Sequence, residues 1–193
     1  MRQAEASAAA RLRAAGHDVI TPDLYDGQTA GTMDAALALM DTVGWQAICA
    51  RARRALQKVP GVPVLAGISM GAGAIGSVWD QRETAAGIVL LHGIAPVPAN
   101  ARAGLPVQVH LAEDDPFAPR QAVAQWQTDA ARAGLAAQVF AYPGAGHFYT
   151  TRAWPATTQP QPTRPGNVSP HSWPPSNQHA PTRRYGRLAA NAA

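Results

Sequence analysis

The apolar run Val62-Pro63-Val64-Leu65-Ala66-Gly67-Ile68 stops at Ser69, and Met70-Gly71-Ala72-Gly73-Ala74 follows at once. A short continuous apolar run bounded by turn residues is how a buried parallel strand reads in sequence. The small residues beyond it suit a helix that packs closely on that strand. Read together they are strand, tight turn and helix, with a serine at the turn. Glycines stand two residues to either side of Ser69 and relieve crowding where the backbone reverses.

Further segments extend this unit into an alternating pattern. Residues 3–15 are rich in Ala, Arg and Glu and read as a helix stopped by Gly16. Residues 18–24 read as a short strand running into a turn at Pro22. Residues 32–43 and 45–58 have helical patterns separated near Gly44, and residues 119–133 form another helix with Val123 and Trp126 on its apolar face. Residues 87–93, 107–112 and 138–142 are further strand-like runs. Strands alternating with helices predict an α/β fold, a mostly parallel sheet with helices on both faces. No internal repeat is visible.

The chain divides near residue 150. Residues 1–150 carry the periodic segments, and residues 151–193 carry Gln159-Pro160-Gln161-Pro162, Ser169-Pro170 and Trp173-Pro174-Pro175. Such a Pro/Arg-rich tail buries too little to order itself, so disorder is the expectation. Charge follows the same division. The formal charge is +4, yet no Asp or Glu follows Asp129, while Arg152, Arg164, Arg183, Arg184 and Arg187 lie in the tail. Without these arginines the body is about neutral, which argues against a nucleic-acid partner. One cysteine, Cys49, excludes an internal disulfide. It lies in a helical stretch and reads as a small buried hydrophobe. No signal-peptide core or bilayer-length apolar run is present, so a cytoplasmic protein without a membrane partner is expected.

A serine on such a turn needs a base for its proton, and the base needs a carboxylate to orient it. His147 follows the 138–142 strand, and the adjacent carboxylates Glu113, Asp114 and Asp115 follow the 107–112 strand. All stand past strand C-termini, the edge where open α/β sheets bind ligands. The backbone N–H of Met70 points toward where an oxyanion would develop. His110 reads as a packing residue within a strand, and His17 as a loop or helix-end residue. His92 closes a strand and is a candidate pocket residue, whereas His171 and His179 lie in the tail. No zinc-type spacing and no phosphate-loop lysine occur, so neither metal nor other cofactor is expected.

The chain resembles the dienelactone hydrolase family of α/β-hydrolases. The matching stretches are Arg13-Ala14-Ala15-Gly16-His17-Asp18-Val19 with Pro22-Asp23-Leu24-Tyr25, Gly67-Ile68-Ser69-Met70-Gly71-Ala72, His110 through Asp115-Pro116-Phe117, and Tyr142-Pro143-Gly144-Ala145-Gly146-His147-Phe148. The resemblance implies Asp115 as the acid, His147 as the base, and hydrolysis of esters or lactones through an acyl-enzyme. Serine stands where the best-known members carry cysteine, which points to the esterase-like branch.

The resemblance also implies a first strand and an oxyanion loop ahead of residues 3–15, and a final amphipathic helix after the histidine loop. The chain is expected to lack these pieces, and the abrupt change near Tyr149 suggests a shift of reading frame. Losing one oxyanion donor costs roughly 100- to 1000-fold in rate. The resulting expectation is a serine esterase or lactonase for a small-molecule substrate. The alternatives are a catalytically impaired or ligand-binding remnant, an interaction protein acting through the tail, and a thioesterase or peptidase on the same fold. Oligomeric state is not legible.

Overall fold

The computed structural model describes residues 3–81 and 85–150. The tail from residue 151, expected to be disordered, lies outside the described residues. Three helices come first: α1 (Gln3–Ala14), α2 (Met33–Val43) and α3 (Trp45–Leu56). Gly44, at φ +79, separates α2 from α3 in a backbone conformation that a side chain would strain. Thr32 caps α2 by accepting the Ala35 N–H at 3.2 Å. Strand β1 (Val64–Ile68) leads into α4 (Met70–Ile75), then β2 (Gly87–Leu91), β3 (Pro106–Ala112), α5 (Arg120–Arg132) and β4 (Ala136–Tyr142).

The four strands form one parallel sheet in the order β1-β2-β3-β4, as expected for an α/β fold. Register assigns the faces, because paired residues point the same way and successive ones alternate. Leu65, Ile88, Val107 and Ala137 share one face with Gly67, Leu90, Val109 and Val139. This face holds the core, filled by Ala72 and Ile75 of α4 and by Val123, Trp126 and Ala130 of α5. Trp126 satisfies its indole N–H on the Ala95 carbonyl at 2.8 Å, so a large aromatic is buried without an orphaned donor.

The opposite face carries Val64, Ala66 and Ile68 of β1, Val89 and Leu91 of β2, Gln108 and His110 of β3, and Gln138, Phe140 and Tyr142 of β4. Cover here is uneven. Val64, Ala66, Gln138, Phe140 and Tyr142 are exposed, and Val89, Leu91 and Gln108 are half-buried. Gly87, His110 and Ala112 on this face are buried, His110 beneath the rings of Phe140 and Tyr142.

The strand expected over residues 18–24 does not form. Residues 17–23 join no ladder, and Ile20 is exposed. A strand exists only where a neighbour accepts its hydrogen bonds, and β1 pairs on one side only among the described residues. The segment is tied down by side chains instead. Arg13 Nη2 donates to the Val19 carbonyl at 2.7 Å, and the Asp23 carboxylate accepts the N–H groups of Tyr25 and Gly27. Those two backbone donors, Tyr25 first, hold Asp23 below the usual carboxylate range.

Candidate active site

Ser69 links β1 to α4 at φ +54 and ψ −116, a conformation that non-glycine residues avoid. The surroundings hold it there. The Ser69 N–H donates to the Leu91 carbonyl at 2.8 Å, and its own carbonyl accepts the Ala72 N–H at 2.8 Å. A Cβ on Gly67 would run into the backbone of Gly71 and Ala72, whereas a Cβ on Gly71 would meet nothing within 4 Å. Steric need therefore falls on Gly67, over which the first turn of α4 passes, and not on both glycines. Met70 opens α4, so its N–H has no acceptor within the helix.

His147 sits five residues past β4, in the loop that returns across the strand ends. Its Nε2 lies 2.9 Å from Ser69 Oγ. Its Nδ1 lies 2.8 and 2.7 Å from the two oxygens of Asp115. A carboxylate at Nδ1 assigns the ring proton to that nitrogen and leaves Nε2 to accept from the serine hydroxyl. Asp115 is 2% and His147 7% exposed. Asp115 Oδ1 also accepts the Phe117 N–H at 3.0 Å, so the carboxylate is anchored as well as buried.

The three adjacent carboxylates separate in space. Glu113 and Asp114 face the surface and pair with Arg120, at 3.1 and 2.9 Å. Hydrogen bonds that Arg120 donates to Asp114 raise its guanidinium above the ordinary value. Asp115 alone turns inward to His147. The structure thus brings together Ser69, Asp115 and His147, with Met70 beside the serine.

His92, the candidate pocket residue, is buried. It is 1% exposed and packs against His147, the two rings edge-on with centres 5.8 Å apart. Its Nε2 is 2.8 Å from Thr150 Oγ1, and its backbone stands at φ +56. His110 packs as expected and also shares a 2.7 Å hydrogen bond with Tyr142 Oη. Burial pushes its imidazole below the ordinary value. Burial also raises the phenols of Tyr142 and Tyr149, the latter helped by nearby Tyr142 and Asp115. Cys49 is buried in α3. Among the described residues no cluster of His, Cys, Asp and Glu could hold a metal ion, and no helix is long and apolar enough to cross a membrane.

Sequence reasoning missed Phe117 and Tyr149. Phe117 is half exposed with its ring 4.5 Å from the His147 ring, and Tyr149 lies 4.4 Å from His92. Their nearness to the histidine loop in sequence was the available signal.

Parallel sheet, strained serine turn and buried histidine–carboxylate pair define the α/β-hydrolase class. The model of the dienelactone hydrolase family matches residues 3–162, and the chain belongs to that family. It is a hydrolase. Among solved structures, a dienelactone hydrolase-like promiscuous phosphotriesterase from metagenomic libraries is similar at 21% identity and a TM-score of 0.63, covering 78% of this chain and 68% of that one. A structure described as m3DLH is similar at 22% identity and 0.63, covering 79% and 69%. At these identities the likeness concerns the fold. No curated protein sequence matches the chain.

Proposed function

We propose that the chain is a serine hydrolase of carboxylic esters or lactones, with residues 1–150 as its catalytic domain. One observation carries this reading: Ser69 Oγ is 2.9 Å from a histidine whose far nitrogen is held by a buried carboxylate. In this reading Ser69 Oγ attacks the substrate carbonyl carbon while His147 Nε2 takes the hydroxyl proton. Asp115 keeps the imidazole in the productive tautomer and stabilises the imidazolium that forms. The Met70 N–H donates to the oxyanion. As the tetrahedral species collapses, the bond to the leaving oxygen breaks and His147 returns its proton to that oxygen. Water then repeats the sequence on the acyl-enzyme and releases the acid.

The strained backbone of Ser69 supports the assignment. Cost of this kind persists where the surrounding structure enforces it, and it gathers at reacting residues. Hydrolysis of p-nitrophenyl acetate by the wild-type chain and by Ser69→Ala tests the proposal. Wild-type turnover that falls by roughly three to six orders of magnitude in the variant is the expected result. Equal rates in two folded proteins would sink it, and would favour a ligand-binding remnant.

A further inference from the structure

We propose that Phe117 forms the wall of a leaving-group subsite that takes apolar, above all aromatic, alcohol portions of the ester. The inference rests on the serine-hydrolase reading for its chemistry, though its binding site is testable alone.

His147 has two unlike sides. Phe148, with ring centres 4.4 Å apart, and His92, at 5.8 Å, pack against it from within and are both buried. Phe117 packs against it at 4.5 Å and 41°, yet is 50% exposed. A large aromatic half in water beside a buried imidazole has an unspent apolar surface. Its position is not accidental to the loop. The Phe117 N–H donates to Asp115 Oδ1, and the Ala118 N–H donates to the Asp115 carbonyl at 3.1 Å, closing a turn directly on the triad carboxylate. The ring is therefore placed by the same residue that places the base.

Geometry then selects which part of a substrate meets it. A leaving oxygen that receives a proton from His147 must come within about 3 Å of Nε2. Carbon bonded to that oxygen lies only a bond length further, and Phe117, its ring centre 4.5 Å from that of the imidazole and 50% exposed, is an apolar surface beside the same ring. The acyl carbon is held instead at Ser69 and Met70. Phe117 offers no charge and no hydrogen-bond donor, so it discriminates by apolar and aromatic contact.

Methyl acetate and benzyl acetate share an acyl group and have alcohols of similar acidity, so comparing them isolates contact from intrinsic reactivity. Phe117→Ala is expected to lower kcat/KM for benzyl acetate about three- to tenfold, the range of an aromatic contact. Methyl acetate should change less than twofold, and Phe117→Trp should restore the benzyl preference. Equal losses on both esters would overturn the proposal, since a turn that merely supports Asp115 would slow every ester alike. Losses that follow acyl chain length from methyl acetate to methyl butyrate would overturn it as well. Titration of benzyl alcohol into Ser69→Ala, followed by NMR, provides the readout independent of turnover. Binding weakened by adding Phe117→Ala upholds the subsite even if the wild type hydrolyses nothing, and in that case only the serine-hydrolase reading fails. Absence of any alcohol binding, together with no change in ester preference, rejects the subsite.

Discussion

Leu90 and Val89 are neighbours on β2, and they point into different worlds. Leu90 is fully buried among α4 and α5, whereas Val89 is half-buried on the far side. The same contrast recurs on β1 and β4. One face meets two helices and the core, while the other leaves Val64, Phe140 and Tyr142 exposed. Parallel sheets are ordinarily covered on both faces. The difference locates the rigidity of the molecule. The helices that cover the sheet are those flanking the candidate site residues: α4 begins one residue after Ser69, and α5 begins five residues after Asp115. The residues proposed to react are held by the well-packed face, not by the sheet as a whole.

Substitutions on matched positions test that contrast. The severest expected effect is at Gly67, on the covered face. Gly67→Ala puts a methyl group into the backbone of Gly71 and Ala72. Because neither partner is a flexible side-chain end, soluble yield and ester hydrolysis should both collapse. A variant as stable as wild type by thermal melting would show that the α4–β1 approach is looser than described.

Next comes a matched pair. Leu90→Ala removes a fully buried side chain and should cost about 2–5 kcal/mol in denaturant unfolding. Phe140→Ala, on the open face, should cost less, about 1–2 kcal/mol, because Phe140 is already 37% exposed. Comparable losses at the two positions would erase the distinction between the faces.

The smallest effect is a pH dependence seated on the open face. His110 is buried under Phe140 and Tyr142, and burial depresses its folded-state value below 6.5. The unfolded chain accordingly binds this proton more readily. Stability from His110 is full above about pH 6.5 and is lost as pH falls toward the depressed folded value. Phe140→Ala uncovers the ring and should flatten that acid slope in denaturant midpoints measured from pH 7 to 5. An unchanged slope would place its origin elsewhere.

What the sequence made legible follows the same physics. Strands β1 and β2 could be read because both are continuous apolar runs bounded by turn residues, although β1 is buried only at alternate positions. Residues 18–24 have the composition of a strand, but composition does not supply the neighbour that a strand must bond to. The serine turn could be read because strand, small residues and glycine spacing all agree. Glu113, Asp114 and Asp115 could not be separated by sequence alone, since adjacent carboxylates differ only in where the turn points them. Arg120, the first residue of α5, draws the first two outward. His92 was ambiguous for a related reason. A histidine at a strand end looks the same whether its left-handed backbone swings the ring into the pocket or beneath it.

The order of the strands bears on how the protein is made. They lie side by side in the order in which they are synthesised, so each can dock on the edge of its predecessor as the chain lengthens. Among the described residues Ser69 follows one outer strand and His147 the other; the two strands lie three spacings, or about 14 Å, apart, while the loops beyond them bring the two side chains to 2.9 Å. A nascent chain that has built three strands holds the serine and Asp115 but has no base to join them. If the proposed function holds, the serine turn lacks its histidine until β4 seats on β3, and ester turnover would report in real time that this pairing has formed.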